Sequence, residues 1–429
     1  MARVVTAAPD PGPDAPPEPS RGTAWVVVGL LWGVALLNYL DRQMLSTLQG
    51  AMKLDIAELR NAENFGRLMA VFLWIYALMS PVTGLIADRV NRKWIIAGSL
   101  LVWSGVTLAM GFATTFGQLY ALRALMGISE ALYIPAGLAL IADYHRGRTR
   151  SLAVGVHMTG LYFGQALGGF GAAIAQDLSW QKTFQGFGVV GIVYALVLTA
   201  FLREHPARQD ESRVKERAPG VGLRSMARSL SLLLGTASFW VILFYFAAPS
   251  FPGWATKNWL PTLISKTLGL DMTKAGPIAT TVIASSALAG VLIGGVLADR
   301  WARTSLRGRI YTGAIGLSLT VPALMLLGLG TSLPAVLGGG ALFGVGFGMF
   351  DANNMPILCQ FVAPRHRAAG YGLMNMAGIS VGAVVTSLLG RSADAGRLGR
   401  DMALLAVPVV AAIALQLAVL KPKTADKSE

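Results

Sequence analysis

From residue 25 to residue 420 the chain alternates long apolar runs with short polar breaks. A helix needs about 20 apolar residues to cross a bilayer. The pattern predicts twelve spans, at 25–48, 65–87, 94–114, 116–140, 151–175, 182–203, 232–262, 275–299, 308–330, 333–359, 366–392 and 399–420. The longest polar interruption falls after the sixth. The organisation expected is a disordered leader over 1–22, a six-helix bundle over 23–203, a linker over 204–230, a second six-helix bundle over 231–420 and a tail over 421–429. The leader is rich in Pro, Ala and Asp and does not read as a cleavable signal peptide.

Composition agrees with an all-α membrane protein. Hydrophobic residues make up 54% of the chain and charged residues only 14%, against about 25% charged in soluble domains. The net charge of +14 does not point to nucleic acid, because the Lys and Arg are not gathered in one patch. They recur in alternate turns: Arg89, Arg92 and Lys93, then Arg146, Arg148 and Arg150, then the 203–228 stretch. Arg300, Arg303, Arg307 and Arg309 continue the series, followed by Arg365 and Arg367 and by Lys421, Lys423 and Lys427. Positive charge stays on the cytoplasmic side, which places both termini in the cytoplasm and the protein in the inner or plasma membrane. Cys359, the single cysteine, falls in a span, so no disulfide framework is expected.

The chain also repeats itself. GLIADRVNRK from Gly84 is echoed by GVLADRWAR from Gly295, and GISEALYIP ending at Pro135 by GMFDANNMP ending at Pro356. The second register matches Glu130 with Asp351. Parallel halves of this kind enclose a substrate site near the bilayer midplane. The Gly84–Asp88–Arg89–Arg92–Lys93 set resembles the signature loop of the major facilitator superfamily, with Asn91 where that motif carries a Gly. The resemblance covers the whole chain. It implies two pseudo-symmetric six-helix bundles working by alternating access, with Asp88, Arg89 and Arg92, and Asp299 and Arg300 in the second copy, acting as a cytoplasmic gate.

Residues 37–45, LNYLDRQML, place Asp41 and Arg42 side by side in an apolar run. Residues 25–40 give only about 24 Å of helix, short of the roughly 30 Å hydrocarbon core. The span therefore continues to about Leu48 and holds the pair within the membrane. Asn38, Asp41 and Arg42 then form one polar stripe facing other helices; the competing reading is a pair snorkelling to the outer interface. The fourth span supplies Arg123 and, seven residues on, Glu130 on the same face. An Arg123–Glu130 or Arg123–Asp41 pair could hold helices together. Intramembrane ionisable groups also tend to line a pathway. Arginine forks recognise carboxylate or phosphate bidentately. A carboxyl in an apolar interior takes up a proton readily unless arginines hold it ionised. An anion that draws an arginine away from its carboxylate would thus favour protonation of that carboxylate, which is symport by linkage.

NYLDRQMLS together with RALMGISEALYIP resembles the anion:cation symporter branch of the superfamily, which moves sugar acids and other organic anions with protons, and also the spinster-like branch, associated with lysolipids and sphingolipids. The resemblance implies proton coupling at Asp41 and Glu130 and substrate contact at Arg42 and Arg123. Residues 160–169, GLYFGQALGG, resemble the drug-antiporter signature, but Gln165 stands where that pattern has Pro. Gln165 and Tyr162 are placed to bond substrate hydroxyls, while His157 reads as a packing residue. In the second half, Pro252, Gly253 and Pro261 of FPGWATKNWLP are candidate break points of a gating helix, or mark a frayed end. Asn258, Asn353, Asn354 and Asn375 suit hydroxyl groups, and Asp351 is either a secondary proton site or an acid satisfied by Asn. Trp240, Phe244, Tyr245 and Phe246 are expected against lipid or in the core.

The function expected is proton-coupled symport of a small organic anion, a sugar acid or related carboxylate; the alternative is a spinster-like proton-coupled lysolipid transporter. A polar C-terminal wall would favour the first, an apolar cavity with a lateral opening the second. The four Asn favour the first. Outside transport, a substrate sensor on a transporter scaffold or a lipid scramblase would share the helices, but the short tails leave no room for a sensor's output domain. No nucleotide loop or metal-ligand cluster appears, so the expectation is neither an enzyme nor an ATP-driven pump, with no cofactor beyond coupling protons. The expected partners are a small anionic substrate and membrane lipid, with no nucleic acid, around a monomer.

Overall fold

The computed structural model of the chain describes residues 20–145, 149–205, 223–422 and 424, and among them the fold is helical throughout. The first half runs α1 (Arg21–Asp55), α2 (Ala62–Arg89), α3 (Arg92–Met110), the consecutive α4 (Phe116–Ala131) and α5 (Tyr133–Tyr144), the consecutive α6 (Arg150–Gly168) and α7 (Gly171–Leu178), then α8 (Trp180–Phe201). A short α9 (Leu223–Leu234) precedes the second half. There follow α10 (Ala237–Leu268), α11 (Met272–Ala302), α12 (Gly308–Leu329), the consecutive α13 (Leu333–Asp351) and α14 (Asn354–Phe361), α15 (Arg367–Asp394), and the consecutive α16 (Leu398–Leu404) and α17 (Ala406–Val419). Ten helical stretches are long and apolar enough to cross a membrane. The α6–α7 rod and the polar-interrupted α10 are not among those ten.

Four expected continuous spans prove to be interrupted, at Leu132, at Gly169–Phe170, at Ala352–Asn353 and at Leu405. The linker stretch carries α9, whose Leu223, Met226, Leu230 and Leu233 recur at helical spacing, a signal present in the sequence. The expected break points in α10 do not break it: one helix runs through Pro249, Pro252 and Pro261. A proline removes the donor for the carbonyl four residues back, so Pro261 leaves the Lys257 carbonyl without its helical partner. Gln43 Nε2 of α1 donates to that carbonyl at 2.9 Å. Intramembrane prolines persist where a neighbouring helix satisfies the freed group.

Helix starts follow local capping chemistry. The Asn61 side chain accepts from Glu63 N, Thr115 and Gln118 form a capping box at α4, and Asp271 accepts from Thr273 N. That backbone hydrogen bond holds the Asp271 carboxyl below the usual carboxylate range.

The bundle is apolar outside as well as inside. Val193 and Leu196 of α8, Leu292 and Val296 of α11 and Val407 of α17 are all exposed, as a lipid-facing surface requires. Helix pairing repeats between halves: α1 packs on α6 as α10 packs on α15, and α2 packs on α4 as α11 packs on α13. Small residues permit this. A Cβ added at Gly164 would collide with the Leu36 carbonyl across the α1–α6 contact, and one at Gly344 with the Ser286 side chain across α11–α13.

The halves meet along α2–α15 and α6–α11. Their bridging hydrogen bonds lie toward the face away from the chain ends. Asp394 at the end of α15 accepts from the backbone N–H groups of Ala62 and Glu63 at 2.9 and 2.8 Å, Arg391 Nε pairs with Glu63 at 2.8 Å, and Thr280 Oγ1 donates to the Ala166 carbonyl at 3.0 Å. At the face carrying the chain ends, bonds such as Arg92–Asp143, Tyr144 to the Arg203 carbonyl and Arg307 to the Leu417 carbonyl stay within one half. The bonds from Asp394, Arg391 and Thr280 latch the molecule at its distal face.

Gly164→Leu should lower stability by about 1–3 kcal/mol through overpacking. Gly105→Ala, whose new Cβ would meet nothing within 4 Å, should be neutral or slightly stabilising. Thermal melting of the two variants in detergent checks this; equal midpoints would mean that α1 and α6 do not approach as described.

Candidate functional site

Because α1 continues to Asp55, its polar stripe falls at mid-helix. Asn38 is fully buried and Asp41 is 7% exposed. The snorkelling reading is therefore excluded. Glu130, fully buried, sits two residues before the interruption at Leu132. One of its oxygens, Oε2, accepts from Arg42 Nε at 2.6 Å and from Asn38 Nδ2 at 2.9 Å. Its other oxygen, Oε1, has no protein partner, nor do Arg42 Nη2 and Asn38 Oδ1. A buried polar network left half satisfied marks a site with capacity to bond something else.

The pairing differs from both ion pairs anticipated from sequence. Arg123 bonds neither Glu130 nor Asp41. Its Nη1 lies 3.0 Å from the Met126 sulfur, its guanidinium stacks on Phe72 at 4.5 Å, and its Nε has no protein partner. Asp41 is not held by an arginine either; it accepts from Thr107 of α3 at 3.2 Å. The cause is geometric. Asp41 and Arg42 are adjacent in a helix and diverge by about 100°, so Arg42 turns to α4 while Asp41 turns to α3. Aromatic rings frame the cations: Arg42 lies 5.2, 4.8 and 4.7 Å from the ring centres of Tyr39, Phe72 and Tyr76.

Next to this cluster lies a small, partly enclosed cleft between the halves. Tyr39, Tyr162 and Gln165 line its N-terminal side, as expected for the last two. Opposite stand Lys257, Asp351 and an apolar wall that includes Ile283, Phe343 and Phe347. Phe343 and Phe347 are stacked, with centroids 5.7 Å apart and planes 16° from parallel.

The polar C-terminal wall expected from the asparagines is not there. Asn258 donates to Thr386 at 2.8 Å, Asn353 to the Met349 carbonyl of its own helix at 2.8 Å, and Asn354 to Asp351 at 3.2 Å. Asn375 lies beside Tyr371. None of the four lines the cleft. His157 bonds the Tyr133 hydroxyl at 2.7 Å in the core, a packing role. Tyr245 is buried, while Trp240 and Phe244 are exposed on the outer surface.

Lys257 is the residue missed from sequence. Ending the seventh span at 262 placed it near an interface, whereas α10 runs to Leu268 and carries it deeper. A charge inside a span is a functional candidate by default, and that rule alone would have found it. Of the gate residues, the side chains of Asp88 and Arg89 lie outside the described residues. Arg92 pairs with Asp143 within the first half. In the second copy Asp299 is 75% exposed and only 3.9 Å from Arg309, and Arg300 is exposed.

Two related helical halves around a cleft, with charges buried at mid-membrane, define a membrane transporter. Residues 31–387 match the family model of the Major Facilitator Superfamily, and the chain belongs to that family. It is 30% identical over 237 residues to protein spinster homolog 1 of Homo sapiens, an alignment covering 52% of this chain and 44% of that relative. The chain thus spans less than half the length of that relative. It is 27% identical over 335 residues to the galacturonate transporter of Dickeya chrysanthemi, covering 72% of this chain and 91% of that one. Its fold matches the crystal structure of a bacterial homolog to the human lysosomal transporter Spinster, in an inward-facing and unoccupied conformation, with a TM-score of 0.75, 20% identity and coverage of 93% and 97%.

Removing Glu130 strands a buried guanidinium. Glu130→Leu should cost roughly 3–5 kcal/mol. The double variant Arg42→Leu/Glu130→Leu should recover most of that loss by packing, as replaced buried pairs often do. A four-way comparison of unfolding midpoints measures the coupling, and simple additivity of the two single losses would refute the pairing.

Proposed function

We propose that the protein carries a small organic anion, a sugar acid or related carboxylate, together with protons by alternating access. The observation that carries this reading is Arg123. It is 3% exposed, has no carboxylate within ion-pairing distance among the described residues, and its nearest donor contact is a thioether. A buried guanidinium without a partner anion is costly, so an incoming carboxylate or phosphate gains what the protein leaves unmet. The galacturonate transporter among its relatives is named for a sugar acid, in keeping with this chemistry.

Proton coupling follows from competition for Arg42. Its Nε holds Glu130, and its Nη2 is unengaged. A substrate anion that recruits the whole fork draws it off Glu130, and a carboxylate so abandoned in the bundle takes a proton. Asp41, with only a Thr107 hydroxyl as neighbouring donor, is the second proton carrier. With both termini in the cytoplasm, as the charge asymmetry predicts, the distal latch makes this the inward-facing arrangement, and the Asp88 and Asp299 motifs serve the cytoplasmic gate that closes next.

A second reading has its own observation. The Ile283, Phe343 and Phe347 wall suits a substrate with an apolar body, such as a lysolipid with an anionic head, and the spinster likeness points the same way.

In liposomes, Glu130→Gln should abolish net uptake of a sugar acid driven by a proton gradient, while exchange of labelled for unlabelled substrate survives. Asp41→Asn should lose most of its proton-driven accumulation. Arg42→Lys and Arg123→Lys, which keep charge but lose the fork, should bind substrate at least about tenfold more weakly. Accumulation by both acid variants under a proton gradient alone would remove them as coupling sites.

A further inference from the structure

The internal repeat carries more than the gate motif. Glu130 and Asp351 are matched by it, and both sit at the end of a helix just before an interruption, at Leu132 and at Ala352. The first helix of each half supplies the cation. Arg42 of α1 acts on Glu130, and Lys257 of α10 lies within Coulombic reach of Asp351. The second half therefore holds its own copy of the cation–carboxylate pair.

The two copies differ in one respect. The first is closed, with Arg42 and Glu130 2.6 Å apart and away from the cleft lining. The second is open. Lys257 and Asp351 both line the cleft, and among the described residues the Lys257 ammonium has no carboxylate within ion-pairing distance. Its near neighbours are the rings of Trp254 and Tyr39, with centres 5.0 and 5.6 Å away. The same Tyr39 ring takes Arg42 on its other contact. Rings can hold an ammonium in place but accept none of its three hydrogen bonds in the way an oxygen does. Asp351 accepts one bond, from Asn354, and has acceptor capacity left.

We propose that Lys257 is an anion subsite in the C-terminal half and that Asp351 beside it reads a hydrogen-bond donor on the same substrate, so that the carrier selects hydroxylated carboxylates over plain ones. The inference rests on the organic-anion reading above. The carboxylate is shared between the Arg42 fork of the first half and Lys257 of the second, the two cations on the Tyr39 ring; a neighbouring hydroxyl donates to Asp351, and the stacked Phe343–Phe347 pair receives the C–H face of the ligand. A plain carboxylate brings no donor to Asp351 and leaves its free acceptor oxygen unmet, which is discrimination by a missing hydrogen bond.

The test is equilibrium binding to purified protein of galacturonate, its uncharged counterpart galactose, and hexanoate, a carboxylate without hydroxyls. Wild-type protein should prefer galacturonate to both. Lys257→Gln should lose roughly tenfold or more in galacturonate affinity, and with it much of the preference for galacturonate over galactose; Lys257→Arg should restore that preference. Asp351→Asn should narrow the preference for galacturonate over hexanoate by strengthening hexanoate binding, which a merely structural role would not do. Unfolding midpoints confirm that each variant is folded. Undiminished galacturonate binding by Lys257→Gln overturns this inference and leaves the organic-anion reading standing. Failure of wild-type protein to bind any organic anion overturns both.

Discussion

An unpaired charge inside an apolar bundle is the constraint on which the rest of this structure depends. Water cannot reach into hydrocarbon to solvate Arg42, Arg123, Asp41 or Glu130, so each must be met by the protein or by something the protein admits. Only Arg42 and Glu130 are met by an opposite charge, and each still keeps a polar atom without a partner. The others are met by a hydroxyl, a thioether and aromatic faces, which are weaker partners than an opposite charge. Glycines at the helix contacts seat α6 against α1, at Gly160, Gly164 and Gly168, and α4 against α2, at Gly127, closely enough to bring these groups together. The site's chemistry and the fold's packing are thus one problem.

Much of this was legible in the sequence, because its causes are local or repetitive. Hydrophobic run length reports the spans, and the duplicated Gly–Asp–Arg motif reports the two halves. The mid-membrane position of Asp41 follows from helix length alone. What could not be read was direction. Which carboxylate Arg42 chooses depends on a rotation of α1 against α4 that no spacing rule supplies. The asparagines misled for a similar reason: polar side chains in a membrane bond to whatever lies nearest, and for Asn353 that is its own helix. The interruptions after Glu130 and Asp351 had a signal that was passed over: Pro135 and Pro356 each remove the donor for the carbonyl four residues back, at Ala131 and Ala352. Lys257 was visible and passed over, through a helix end placed six residues early.

The two halves share an architecture but not a state of readiness. The first half has its cation and acid joined, with two further ionisable groups close by. The second half has them unpaired, both on the lining of the cleft. A carrier made of two copies of one bundle needs some such difference if the copies are to do different work, one trading protons and the other sorting cargo.

Pro261 has a consequence for the cycle itself. By deleting one donor within α10 it creates a carbonyl, at Lys257, that is satisfied by Gln43 from the other half. When the halves part on that side, this oxygen and the amide that faces it are bared together, in the middle of an otherwise oily seam. Gln43 keeps a partner in Ser46 Oγ of its own helix, 2.7 Å away, whereas the Lys257 carbonyl has lost its helical donor to Pro261. Opening the distal crevice therefore leaves one oxygen for water to claim, on the helix that also carries the Lys257 charge.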